Sequence, residues 1–318
     1  VYTCVMDGKV WKTLPRKDGS LFFDPAKRDV LRVGIFVNVD WFKVPTSYFA
    51  ASHSSGPFSF SIANLLGNQR YLDKYTATIT MTPGPDEPSA EELQEFSRLL
   101  VDDLIKFEDH PIIVGKSPER PEGARVAGIP LELVLVGIIA DHPCMCKLGG
   151  VADHAHKAAP CTNCKTTRAG MYTDEALKNG CPPRTGADHK RLSEEYRQLK
   201  TTAERAAFAK EHGVRWTEFV RLHYFDPIHM TIIDPMHCII LGLGKNQWFS
   251  HWIQTNALRS DTEAGTQREL HDFHAFLDTV EIPSWVGHLP RGVGNPAGGS
   301  LSADEYKVLM TCIAAMVV

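Results

Sequence analysis

The sequence predicts an α/β protein built on a mixed sheet. Three observations carry that expectation. Three strand-like segments follow one another near the start, one strongly amphipathic helix comes next, and then an apolar run, LELVLVGIIA, is continuous enough to be covered on both faces. Composition agrees: 318 residues, 43% of them hydrophobic and 23% charged, supply one large core or two smaller ones.

Residues 31–39 place Leu31, Val33, Ile35, Val37 and Val39 on one face and Phe36 on the other, and their β-branched content argues for a strand that ends at Asp40. PFSFSIANLL (57–66) and YTATITMT (75–82) read as two more strands, closed by PGPDEP, so the three form an antiparallel meander. Ser89 with Glu92 three residues on is a capping box, and Leu93, Phe96, Leu100 and Leu104 recur at helical spacing until Glu108 and Asp109. After the link KSPERPEGARVAG, residues 131–140 form the buried strand, with Asp141 at its end. Residues 165–190 are loop-like, and 191–212 are helical in propensity with Gly213 as the stop. Asp234 as N-cap with Pro235 at the first helical position opens a long apolar helix through Trp248 and Trp252. A further helix covers 261–278, PSWVGHLPRGVGNPAGGS is a loop, and a last helix starts at Ser302, where Ser302 and Glu305 make a second capping box.

These elements divide the chain into an N-terminal extension (1–29), the first part of a core (30–164), a mostly helical insertion (165–290) and a closing helix (291–318). Three strands, a helix and a central buried strand resemble the core of ribonuclease H, with Asp40 and Asp141 on neighbouring central strands. No run approaches 18 apolar residues, so no membrane span is expected. A net charge of −4 does not advertise nucleic-acid binding, and basic stretches such as Lys165 to Arg168 read as solvated surface. Eight cysteines are too few for a disulfide scaffold of this size, which favours reduced thiols inside a cell, some of them on zinc. The start has neither an initiator Met nor a signal pattern and the end stops inside TCIAAMVV, so the expectation is a piece of a longer protein. There is no glycine-rich phosphate loop, GxSxG or HExxH.

Chemistry concentrates in the acids at strand ends. Carboxylates delivered by two buried strands are oxygen ligands for divalent metal ions, and two-metal phosphodiester chemistry needs such ligands around ions about 4 Å apart. Each acid has a plain alternative: Asp40 as a strand-end turn or N-cap residue, Asp141 as an ordinary turn opener in Asp-x-Pro, Glu305 as the closing member of its capping box with Asp304 balancing the helix dipole. Cys161 and Cys164 have the spacing of half a zinc site, or of a redox pair. Their candidate partners are His237, best placed in IIDPMHC, and His229, His223, His154 and His156, each of which alone is more often an ordinary hydrogen-bonded residue. Cys144 and Cys146 are too close together for usual chelation and read as core or loop thiols. An unrelated metal-dependent hydrolase using Asp40, Asp141 and His142 is a further reading.

RVGIFVNVDWF, IIADHPCMCKLGGVADHAHKAAPCTNC and GVRWTEFVRLHYFDPIHMTIIDPMHCIILG resemble the transposases of CACTA-type (En/Spm) DNA transposons in their fungal form, from about residue 30 to the end. The resemblance implies a ribonuclease-H-like core with an acidic triad on Mg²⁺ or Mn²⁺, falling on Asp40, Asp141 and Glu305 (Asp304 in the alternative register). It also implies structural Zn²⁺ on a knuckle at Cys161 and Cys164 with His237; His229 departs from the family pattern, standing where a basic residue is expected, and is a weak fourth ligand. The implied activity is cut-and-paste transposition in the nucleus: phosphodiester hydrolysis and strand transfer on double-stranded DNA, at transposon terminal repeats and target site, by a homo-oligomer away from membranes. The alternative is a decayed or domesticated, zinc-stabilised DNA- or protein-binding remnant.

Overall fold

Leu31–Val39 (β1) is the axis of the sheet. The computed structural model describes residues 4–27, 29–44, 53–115, 128–262, 264–295 and 300–314, and divides into two compact units, Val1–Ile233 and Asp234–Val318. The link at 116–127 lies outside the described residues.

In the first unit, α1 (Lys9–Thr13) precedes β1, and β2 (Phe42–Val44) and β3 (His53–Ile62) follow it. After α2 (Gly67–Arg70) come β4 (Thr76–Thr82), α3 (Ala90–Asp109), β5 (Ile112–Val114), β6 (Ile129–Ala140) and α4 (His142–Gly149). The meander is present: β1 pairs antiparallel with β3, and β3 antiparallel with β4. β6 lies parallel to β1 on its other side, with a register shift at Ile35/Phe36, and β7 (Thr231–Ile233) extends the sheet parallel to β6. The sheet is therefore mixed, with β1 and β6 side by side at its centre.

Gly34, Ile35, Phe36 and Val37 are all buried, because both faces of β1 are covered. On the face that carries Phe58, which is paired with Val39, Phe96 of α3 stacks on Phe58 at 6.2 Å. Across the sheet the N-terminal segment packs down on Gly34, where a Cβ would come within 2.8 Å of Trp11 and 2.9 Å of Val136. That glycine is a matter of space; any side chain would push Trp11 off the strand.

α3 follows the predicted pattern, burying Leu93, Leu100 and Leu104, with the Ser89–Glu92 box closed in both directions. β3 starts and stops earlier than the periodicity predicts. Beyond Ile62 the side chain of Asn64 takes over the edge of β1: its Oδ1 accepts from Gly34 N (2.8 Å) and its Nδ2 donates to Arg32 O (3.1 Å). The polar side chain of Asn64 thus stands in for strand backbone at this edge.

After α5 (Asp174–Asn179), the helix expected over 191–212 is two: α6 (Gly186–Gln198) and α7 (Thr202–His212). The break falls at Thr201, which caps α7 through a box with Glu204, a stronger local instruction than the propensity of the flanking residues. Gly213 ends α7 at φ 64°, as expected of a left-handed stop. α6 docks on α3 through Tyr196 Oη, which donates to Glu91 Oε1 (2.9 Å); the segment after α7 docks on α4 through Thr217 Oγ1, which donates to Leu148 O (2.6 Å); and Gln94 Nε2 ties α3 to α4 at Lys147 O (2.9 Å).

The second unit has its own core, centred on Trp248, Phe273, Val293, Tyr306, Leu309 and Ile313. The apolar helix predicted after Asp234 runs as two segments, Met236–Gly244 and Gln247–Ile253, with turns widened toward i→i+5 bonding. α8 (Glu269–Thr279) is shorter than the 261–278 expected, and α9 (Ala303–Val308) opens at Ser302 as predicted.

Candidate functional site

Val39 and Ala140 are register partners on the parallel pair β1 and β6, so Asp40 and Asp141 leave adjacent strands as next neighbours. Strands in a sheet lie about 4.8 Å apart, and the carboxyl ends of parallel strands are where α/β sheets bind ligands. The sheet brings these two expected residues together. Both carboxylates act on the same buried thiol: burial chiefly pushes the Cys144 sulfhydryl up, and the charges of Asp141, Glu87 and Asp40 add to it.

The two acids are held differently. Asp40 is exposed at the strand end, before the half-buried Trp41. Asp141 is the N-cap of α4, with Pro143 in the first turn, and its Oδ1 accepts from Cys144 N at 2.8 Å. Among the described residues no hydrogen bond occupies its second oxygen, so the capping role and a ligating role are geometrically compatible. Around them stand two groups that the sequence reading passed over. Lys147, six residues into α4, lies 5.5 Å over the Trp41 ring and reaches Glu87 (3.4 Å) and Pro88 O (3.0 Å). No periodicity or motif marks Glu87 and Lys147; only the turn before α3 and the face of α4 bring them here.

His142 turns elsewhere. Its ring nitrogens are each 3.8 Å from Cys146 Sγ and its ring meets that of His154 at 5.3 Å, edge on. Burial, then the His154 charge, holds its pKa below the ordinary imidazole value.

Cys161 and Cys164 lie close enough to interact: the Cys164 pKa is raised, first by burial and then by its neighbours Cys161 and Cys181. Cys181 is a third thiol that the reading of CxxC alone left out. It arrives because the chain at 181–184 crosses the knuckle: Lys165 N donates to Pro182 O (2.7 Å) and Arg184 N to Asn163 O (2.8 Å). Its signal in the sequence is only that it is one more unpaired cysteine near the pair. Cys144 and Cys146 are buried core thiols, as expected.

Four of the five candidate histidines have an ordinary partner, and His154 meets the ring of His142. His156 Nδ1 accepts from Ala159 N (3.0 Å), His223 approaches Glu108 (3.3 Å), and His229 pairs with Asp226 (2.9 Å). His237 belongs to the second unit, where its Nδ1 bonds Asp234 Oδ2 at 2.5 Å and leaves Nε2 free of that contact. Glu305 also belongs to the second unit. It closes the capping box, with Oε2 accepting from Ser302 N (2.6 Å) and its own N–H donating to Ser302 Oγ (3.3 Å). Among the described residues no group of three or more His, Cys, Asp or Glu side chains is placed to hold a metal ion.

No family model and no curated protein matches this chain.

Proposed function

We propose that this chain is the catalytic core of a metal-dependent, DNA-cutting and DNA-joining transposase. One observation carries the reading: Asp40 and Asp141 follow register partners at the carboxyl ends of adjacent parallel strands. The strand order β4-β3-β1-β6-β7, with the first three antiparallel and the last three parallel, supports a ribonuclease-H-like core. The motif resemblance supports the transposon class, and with it double-stranded DNA as substrate, a homo-oligomer as active form and the nucleus as its place.

The donor set at the strand ends fits a hard divalent cation, since it is all carboxylate oxygen, with one acid exposed and the other having an oxygen to spare. Asp40 and Asp141 would hold Mg²⁺ or Mn²⁺, which when bound activates an attacking hydroxyl and steadies the departing oxygen of a phosphodiester. Asp141 brings orientation: the Cys144 amide fixes one of its oxygens, so the other points from a rigid helix start. Asp40 brings access, standing in solvent where a phosphate can approach. The thiols of Cys161 and Cys164 fit half of a structural zinc site; within the second unit, Asp234 orients the His237 ring.

A second reading has its own support. Asp141 and Glu305 are both fully explained as helix caps, which is what a zinc-stabilised binding remnant without cleavage would retain. Nicking of supercoiled plasmid with Mg²⁺ or Mn²⁺ separates the two. The transposase reading expects nicking by the chain and its loss in Asp40→Ala; equal nicking by both proteins refutes the assignment, and no nicking by either favours the remnant.

A further inference from the structure

Three arginines meet in a pocket between the start of α3, the helices α6 and α7, and the segment after α7. Arg197, Arg205 and Arg215 line it together with Glu91, Glu95 and Glu218, around a volume of about 220 Å³. The two sets of charges do not pair with each other. Glu95 pairs with Arg98 (3.2 Å) and Glu218 with Arg221 (2.8 Å), two arginines outside the lining, and Glu91 Oε1 accepts from the Tyr196 hydroxyl (2.9 Å). Among the described residues no carboxylate lies within ion-pair distance of Arg197, Arg205 or Arg215.

Two of the glutamates act as braces instead. Glu91 holds Tyr196, whose ring lies 5.9 Å from the Arg205 guanidinium. Glu218 Oε1 accepts from Trp216 Nε1 (2.6 Å), and Arg197 lies over the Trp216 ring at 4.3 Å. Stacking engages the face of a guanidinium and leaves its N–H edge open. Arg205 uses only Nε, on Leu199 O (3.3 Å). Arg215 is fixed by its backbone: its N–H donates to Gly150 O (2.8 Å) and its carbonyl accepts from Ser193 Oγ (3.0 Å). Its half-buried side chain, like that of Arg197, has no hydrogen-bond partner among the described residues. Donor edges from three segments are thus positioned in advance and left open.

Such planar N–H forks match the paired oxygens of a phosphate. The pocket is smaller than the roughly 300–1,000 Å³ that encloses a whole small molecule, so it suits one group of a larger one. Its place in the fold selects that larger molecule. Gln94, in the pocket wall, donates Nε2 to Lys147 O (2.9 Å) and accepts from Glu218 N (2.8 Å), which ties the pocket to α4. Lys147 stands six residues, about 9 Å, along α4 from Asp141. A DNA strand rises about 3.4 Å per nucleotide, so that span corresponds to about three nucleotides.

We propose that this pocket grips a backbone phosphate of double-stranded DNA, a few nucleotides from the phosphodiester at the carboxylates. The choice of DNA rests on the transposase reading; the choice of phosphate rests on the open arginine edges.

The test is fluorescence anisotropy of a labelled duplex with the full chain in EDTA, over a series of salt concentrations, so that neither metal nor cleavage enters. Arg215→Gln should weaken binding about tenfold, alike for duplexes of different sequence, and lower the slope of log affinity against log salt by about 1. Arg197→Gln, at an exposed rim position that disturbs no core, should act in the same direction. Lys178→Gln, exposed on α5, removes one charge elsewhere and should change neither quantity. Arginine variants that bind the duplex as wild type does overturn the site, and so does an equal loss in Lys178→Gln, which marks general charge attraction. Wild-type chain that takes up inorganic phosphate or a phosphoserine peptide but no duplex overturns the choice of DNA. Duplex binding lost in the arginine variants, with equal nicking by wild type and Asp40→Ala, supports this site and refutes the catalytic assignment alone.

Discussion

Asp141 has two jobs in this account, and two substitutions pull them apart. As N-cap it accepts the Cys144 amide at 2.8 Å, and as a carboxylate beside Asp40 it would ligate the cation. Asparagine caps a helix about as well as aspartate, so Asp141→Asn keeps the amide's partner and gives up only the favourable charge at the helix start, about 0.5 kcal/mol. Alanine removes the acceptor as well, for a total of about 1–1.5 kcal/mol. The first unit, Val1–Ile233, is of a size at which 1 kcal/mol moves the melting temperature by about 2–4 °C. Asp141→Asn should therefore melt within about 2 °C of wild type, and Asp141→Ala about 2–6 °C lower. In the Mg²⁺ nicking assay the two should be equally inactive, since a neutral amide is a poor substitute for a ligating carboxylate. Melting curves and nicking rates on the same preparations decide it. If Asp141→Asn nicks within a few-fold of wild type, the carboxylate is a cap and nothing more, and the metal-ligand argument fails.

Glu305 admits the same separation in the second unit. Glutamine also closes a capping box, so Glu305→Gln should preserve the melting profile, and loss of nicking in that variant would assign the charge a role beyond the cap. Tyr224 is buried and its hydroxyl takes the Leu135 amide at 3.2 Å, next to the register shift in β6. Tyr224→Phe strands that amide, and denaturant unfolding should show a loss of about 1–3 kcal/mol. The knuckle predicts bound zinc that falls in Cys161→Ser on metal analysis; unchanged zinc refutes the site, and an equal fall in Cys181→Ser identifies the third thiol as a ligand. Below pH 6.5 the unfolded His189 takes a proton that the folded ring, held down to about 4 by burial, refuses. Stability should therefore decline as pH drops from about 6.5 to 4, by up to about 3 kcal/mol, and His189→Phe should flatten that part of a chemical-denaturation profile.

What the sequence made legible follows from which interactions are local. β1, α3 and the two capping boxes are written in runs of ten or twenty residues, and the structure has them where periodicity and cap chemistry put them. The strand-end acids were legible for the same reason: an apolar run that stops at an aspartate is visible without any partner. The errors arose where a side chain substitutes for backbone. Asn64 ends β3 early by imitating a strand, and Thr201 cuts one helix into two with a box that propensity does not weigh. Cys181, Glu87 and Lys147 were not legible because only tertiary packing brings them near the knuckle and the strand ends. His189 is the extreme case. A histidine in a polar helix looks like surface until the fold closes over it and spends one nitrogen on Gly149.

The different exits of the two central strands explain why their acids are not interchangeable. β6 passes directly into α4, so Asp141 is clamped by an amide of the first turn and cannot swing without breaking the cap. β1 passes through Trp41 into the short β2, and Asp40 has no such clamp among the described residues. A cation bound between them would find one ligand already oriented and one that must be ordered on binding. Losing the ordered ligand removes a preformed position, whereas losing the exposed one removes charge at the point where substrate arrives. Lengthening Asp40 by one methylene, as Asp40→Glu, should therefore be tolerated better than Asp141→Glu, which also displaces the cap oxygen from Cys144 N. The opposite ranking in nicking rates would mean that Asp40, not Asp141, fixes the geometry of the site.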